Sequence, residues 1–335
     1  MKNILETLGI DLSKSTLDAY LHLSGLHKQF ENNKKGFQAM LTWARKAAKV
    51  KNSELLICFE HTGIYGMELA AFLEKKNIFY CMVPALEIKK SLGMVRGKND
   101  RVDAKRIAEY AHMRRDTIKE TRLPSALIQK MKKLIGLRSK MVRQRAGYMA
   151  SLGELKRIYK RSDHKHLFAL QESLIKELTK SIDVVEAELN ALVKSDEEVY
   201  KTCRLLMSIK GIGPIVAYNL IVVTQCFRAF ENSRQLACYC GLAPFTYQSG
   251  TSLKSKAKVS NYADKGLKAL LTTAANSAVG CDAELRAYTE RRLKQNKSKM
   301  STLNIIRNKL LHRAFAVVKR GTPYVETYRH QVANC

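Results

Sequence analysis

Asp100 and Asp103 stand three residues apart in "GKNDRVDAKRIAEYA", residues 97–111, a stretch that otherwise reads as the opening of a helix. On a 3.6-residue period the two carboxylates face the same way, among lysines and arginines. Acids at a helix N-terminus complement its macrodipole, so capping explains either one alone. Two further acids shift the balance. Asp11 closes the first expected strand and Glu60 closes "ELLICFE", and ligands gather at the carboxyl ends of strands in α/β sheets. Four carboxylates brought together repel one another unless a cation sits among them. Hard oxygen donors in that number suit Mg²⁺, which binds through a few carboxylates plus water and substrate phosphate. One such ion, or a pair, polarises a scissile phosphate and stabilises the attacking and leaving oxygens. The chemistry expected of Asp11, Glu60, Asp100 and Asp103 is metal-assisted work on a phosphodiester.

Periodicity marks the elements that must place these acids. Residues 4–10 and 16–23 alternate as strands around the turn "DLSKS", and "KQFEN" supplies a third short strand. "GFQAMLTWARKAAKV" has helical spacing and "ELLICFE" is a short apolar strand. The helix "GIYGMELAAFLEKKN", the strand "IFYCMV" and the Asp100 helix follow. A meander followed by alternating helices and strands predicts a mixed α/β sheet domain over residues 1–120. From 121 to 198 the strand signal vanishes. Leu127, Met131, Leu134, Met141, Tyr148, Leu152 and Leu155 trace one apolar stripe; Leu174, Leu178, Ile182, Val185, Leu189 and Leu192 trace another. "KRSDHKH" separates them, which predicts a long antiparallel helical hairpin. The remainder, 199–335, reads as mainly helical. Within it, "SIKGIGPIVAYNLI" has the form of a helix-hairpin-helix, where Gly211 and Gly213 leave N–H groups free for a phosphate and Pro214 opens the second helix. A plain packing turn accounts for the same residues.

The charge balance narrows the partners. The chain has 335 residues, 59 Lys+Arg against 30 Asp+Glu and a net charge of +29, with an ordinary 46% of hydrophobic residues. Such a field attracts polyanions, of which nucleic acid is the commonest. The first hairpin arm is dense in Lys130, Lys133, Arg138, Lys140 and Arg143, whereas the second holds most of the acids. The first arm is therefore expected to track phosphates, with a solvated coiled-coil face as the competing account. No apolar run is long enough to span a membrane, and Glu6 and Asp11 interrupt what a signal peptide needs. A cytoplasmic protein with no membrane partner is expected. The eight cysteines form no C-x-x-C pair and sit mostly in apolar segments, as reduced core thiols do.

"GIDLSKSTLD", "FEHTGIYG" and "KNDRVDAKRIAEYA" together resemble the RuvC-like DEDD domain of the insertion-sequence family one-ten transposases. That family takes in Piv- and MooV-like invertases and bridge-RNA-guided recombinases, and the resemblance extends over essentially the whole chain. It implies an RNase-H-like fold with Asp11, Glu60, Asp100 and Asp103 as Mg²⁺ ligands, and Thr62, Gly63 and Tyr65 fit its pattern around Glu60. In "GLAPFTYQSGTS" the residues themselves do not choose among Ser249, Ser252 and Ser255. A serine hydroxyl needs activation, and Lys254, Lys256 and Lys258 lie close enough in sequence to steady a phosphate. The resemblance selects Ser249 as the nucleophile of a C-terminal transposase domain. Asn261 stands where the family has lysine, Ala263-Asp264 where it has Gly-Asn, and Lys268 where it has arginine, which leaves open which cations assist Ser249. The resemblance further implies site-specific recombination of DNA through a phosphoserine, moving the chain's own insertion element. A structured bridge RNA would pair with donor and target DNA, in a bacterial cytoplasm at the nucleoid.

A hairpin arm of roughly 35 residues spans about 50 Å. Acids and serine of one chain can then lie far apart, and a homo-oligomer, dimer or tetramer, is expected to complete the centre. Two other readings use the same residues: a metal-dependent junction nuclease with water as nucleophile, and a non-catalytic nucleic-acid-binding protein whose acids are structural.

Overall fold

The computed structural model describes residues 4–61, 63–91, 99–246, 248–249, 253–254 and 257–325. The chain forms two compact units, residues 1–123 and 124–335.

The first unit runs β1 (Glu6–Leu12), β2 (Thr16–Leu21), β3 (His27–Glu31), α1 (Lys34–Ala48), β4 (Leu55–Glu60), α2 (Met67–Lys75), β5 (Tyr80–Val83), α3 (Ala85–Ser91) and α4 (Asp100–Arg114). Its sheet has the order β3-β2-β1-β4-β5. The first three strands form an antiparallel meander, while β4 runs parallel to β1 and β5 parallel to β4. The mixed α/β sheet expected from periodicity is present. β1 runs one residue past Asp11 to Leu12, and Asp11 lies opposite Asp18 of β2 near the strand's end. The turn is tighter than "DLSKS" suggests, because the Ser13 N–H donates to the Thr16 carbonyl and closes the hairpin. α2 starts at Met67 and not at Gly63, whose φ of +70° holds the chain in a turn.

Alternation sorts the side chains between the two sheet faces. Leu8, Ile10, Leu17, Ile57 and Phe59 pack with Phe37 and Met40 of α1 and Leu69 and Leu73 of α2. The opposite face carries smaller groups, with Leu56 and Cys58 against Ile107 and Ala111 of α4. At its centre Gly9 has no side chain, and a Cβ there would run into the backbone of Ala104 and Ala108. This close approach seats α4 directly on β1.

The second unit contains α5 (Ala126–Ile158), α6 (Lys165–Lys194), α7 (Glu197–Met207), α8 (Pro214–Thr224) and α9 (Ser233–Tyr239). It continues through β6 (Pro244–Phe245), β7 (Gln248–Ser249), β8 (Leu253–Lys254), β9 (Lys258–Val259), α10 (Lys265–Cys281), α11 (Ala283–Lys294) and α12 (Lys299–Arg320). α5 and α6 lie antiparallel, tied by Lys130–Glu188, Arg138–Glu186 and Lys156–Glu172. Ile128, Met131, Val185, Leu189 and Val193 carry the base of this pair into the core formed with the later helices. Tyr148 and Leu174, both members of the apolar stripes, are exposed. Between α9 and α10, β6 pairs with β9 and β7 with β8, a β excursion where the sequence predicts mainly helix. Two-residue strands have no period to read. All described cysteines are free, Cys58, Cys81, Cys203 and Cys240 being buried; Cys335 lies outside the described residues. Among the described residues no helix is long and apolar enough to cross a membrane.

Candidate active site

The parallel register of β1 and β4 pairs Ile10 with Phe59. The next residue of each strand is Asp11 and Glu60, so the two acids stand side by side at the carboxyl ends of the central strands. Both are half-buried. Asp11 lies two residues beyond Gly9 and therefore on the same face, the one covered by α4. α4 begins at Asp100, and its first turn carries Asp100 and Asp103 above the sheet end. Capping falls to neither of them. Asn99 is the N-cap, its Oδ1 accepting from the Val102 N–H at 2.8 Å, and this leaves both aspartates for another purpose. Asp103 accepts from Arg106 Nη1 at 2.8 Å.

The charges of the other three acids act on Asp11. Burial raises the Asp11 carboxyl to about 6, and the charges of Asp103, Asp100 and Glu60 push in the same direction, against one backbone N–H, that of Leu12. Such mutual repulsion is what a bound cation relieves, and four hard carboxylates suit a divalent ion. As placed, no three His, Cys, Asp or Glu side chains among the described residues converge to a coordination cluster. The acids share a field without closing into a shell. Beside Glu60, Gly63 turns the chain at positive φ and Tyr65 is exposed, while Thr62 lies outside the described residues.

The second unit places the remaining candidates. Ser249 lies in β7, its backbone opposite Leu253 of β8, and Gln248 lies opposite Lys254. Lys256 lies outside the described residues. The root of this excursion is tightly held. Lys268 Nζ donates to the Gly241 carbonyl at 2.9 Å and Asn304 Nδ2 to the Leu242 carbonyl at 2.8 Å. Asp264 caps α10 by accepting from the Leu267 N–H at 2.8 Å, a role that asparagine fills equally well. Behind the root, Arg307 is 3% exposed and reaches Asn304 at 3.4 Å, and burial lowers its pKa.

The basic residues of α5 divide into two sets. Lys130 and Arg138 form ion pairs with α6 at 3.0 and 2.6 Å. Lys133, Lys140 and Arg143 are exposed, with no carboxylate partner among the described residues. Gly211, at φ +95°, fits against Ala274 and Ala278 of α10, which gives it a packing reason, whereas Gly213 faces open space as the N-cap of α8. Sequence reading passed over Asn99, Asn304 and Arg307. An Asn one residue before an acid-rich first turn is a capping signal that could have found the first; the other two carry no local signal.

Residues 8–155 match the transposase family of the DEDD, IS110 type, and residues 203–290 match the family described as Transposase IS116/IS110/IS902. The two matches together take in all four acids, Lys130, Lys133 and Lys140 of α5, and the Ser249 excursion. The chain belongs to the IS110 family of transposases. It is similar to the pilin gene-inverting proteins of Moraxella lacunata and Moraxella bovis, each 27% identical over 323 residues, 95% of this chain and 97% of theirs. A protein of insertion element IS110 from Streptomyces coelicolor is 29% identical over 140 residues, 42% of this chain and 33% of that one. As an IS110-family member the chain is a DNA transposase/recombinase, and its DEDD-type domain points to use of a divalent metal.

Proposed function

We propose that this IS110-family transposase cuts and rejoins DNA at the ends of its own insertion element through a phosphoserine. Asp11, Glu60, Asp100 and Asp103 hold Mg²⁺, and Ser249 is the nucleophile. One observation carries the metal half: Asp11 and Glu60 follow the paired Ile10 and Phe59 at the ends of neighbouring parallel strands, beside the first turn of α4 that carries Asp100 and Asp103. Mg²⁺ bound there supplies positive charge for the scissile phosphate. The strand order β3-β2-β1-β4-β5, with an antiparallel meander followed by parallel strands, supports an RNase-H-like, RuvC-like reading of the first unit.

In the serine step Ser249 Oγ attacks the phosphorus. The Oγ–P bond forms, the bond from phosphorus to one sugar oxygen breaks, and the serine proton ends on that departing oxygen. Attack by a sugar hydroxyl reverses the balance and frees the serine, so rejoining needs no external energy. The gene-inverting function named for the Moraxella relatives supports cutting followed by rejoining over plain hydrolysis. Lys133, Lys140 and Arg143 face solvent and suit nucleic-acid backbone. Sequence choice belongs to a structured bridge RNA, and the working assembly is a homo-oligomer, dimer or tetramer, at the nucleoid of a bacterial cell.

The test is amide substitution. Asp11→Asn, Glu60→Gln, Asp100→Asn and Asp103→Asn should each abolish cleavage of DNA carrying the element's ends, with circular dichroism unchanged. An Asp103→Asn protein that cuts at the wild-type rate contradicts the metal site.

A further inference from the structure

A shallow, solvent-open cleft of about 1020 Å³ lies between β3, the edge strand of the sheet, and α1. Lys28, Lys34, Lys35 and Lys46 ring it, and Trp43 forms part of its wall. All four lysines are exposed, and none has a carboxylate partner among the described residues. Cations and aromatics form one surface here. Lys28 Nζ lies 5.5 Å from the Phe30 ring centre, and Phe30 packs on Trp43 at 5.6 Å.

Two of the lysines sit where a helix least tolerates them. Lys34 and Lys35 open α1, whose first turn has no acid, and the macrodipole repels cations at that end. Packing of the unit does not require this charge, because Lys34 and Lys35 point to solvent while Phe37, Met40 and Leu41 fill the core. α1 covers the sheet face that carries Leu8, Ile10 and Phe59, opposite the face on which α4 packs. The cleft is therefore no extension of the acid site.

We propose that this cleft holds a single DNA strand, its phosphates on Lys28, Lys34, Lys35 and Lys46 and one base against the half-buried indole of Trp43. A basic groove with an aromatic wall fits unpaired nucleic acid, whose base faces are free to stack; a duplex keeps those faces inside its own stack. The choice of DNA rests on the chain's class as a DNA transposase and not on the serine or metal chemistry.

Trp43 is the chain's single tryptophan, so its emission reports on this cleft alone. The full chain, without divalent metal so that cleavage does not enter, is titrated with a fluorescently labelled oligothymidylate. Tryptophan emission and label anisotropy are recorded together. Emission should fall to a plateau as the strand binds. A Lys34→Glu, Lys35→Glu double variant should need roughly ten-fold more strand for the same quench, and its log–log salt slope should flatten by about 1.4, or 0.7 per lost contact. Its melting temperature should not fall, because acids suit the start of a helix. Rising anisotropy with unchanged Trp43 emission overturns the proposal. So does stronger quenching by an RNA oligomer, by a blunt duplex or by polyglutamate than by the DNA strand.

Discussion

Burial and the charges of Asp103, Asp100 and Glu60 raise the Asp11 carboxyl, and its titration is open to direct measurement. Its folded value of about 6 lies above the ordinary 3.8. Protonation therefore favours the fold: the stabilisation is complete below the unfolded value and is lost as pH rises through the folded one. Asp11→Asn is uncharged at every pH. In metal-free protein it should raise the melting temperature by a few degrees above pH 6 and change it little near pH 4. Mg²⁺ should stabilise the wild type more than the variant. A variant that melts lower than wild type at neutral pH would remove the repulsion account. The pairing of Asp11 with Glu60 was readable from two apolar runs that each end near an acid. The approach of Asp100 and Asp103 was readable only as spacing, because what brings them in is the missing side chain at Gly9, a contact between elements 95 residues apart.

At the scale of elements, the decisive contact is α4 on β1. Gly9→Ala should cost the first unit 1–3 kcal/mol or more, about the usual penalty for overpacking, since the obstruction is backbone and not a movable side chain. Gly211→Ala should destabilise the second unit as well, through positive φ and contact with α10. Gly147→Ala in α5 meets open space and should stabilise by roughly 0.5–1 kcal/mol. Thermal melts of the three variants check the ordering, and a Gly9→Ala protein as stable as Gly147→Ala contradicts the packing account. The sheet was visible in the sequence because its strands alternate over several residues against an apolar face. The β excursion around Ser249 was not, because two-residue ladders leave no pattern. Stripe periodicity likewise cannot say which α5 residue meets which α6 residue, and so the ion pairing of Lys130 and Arg138 was hidden.

Over the whole molecule, a net charge of +29 makes nucleic-acid binding steeply dependent on salt. Reversing Lys133, Lys140 and Arg143 should weaken binding and flatten the log–log salt slope by roughly 0.7–0.9 per residue, depending on strandedness. The same change at Lys130 and Arg138 should act more on hairpin stability, because those two cations are engaged with Glu188 and Glu186. An unchanged slope in the first variant assigns that face to solvent. The central claim, cleavage through serine with the four acids in support, has a covalent product. The full chain, incubated with Mg²⁺ and end-labelled DNA carrying the element's junction, should yield a denaturant-resistant protein–DNA adduct. Mass spectrometry of its peptides should place the phosphate on Ser249. Ser249→Ala should lose the adduct and keep DNA binding, and Asp11→Asn should lose the adduct as well. Strand cutting by Ser249→Ala at the wild-type rate, with no adduct from either protein, would contradict the account and assign the nucleophile to water.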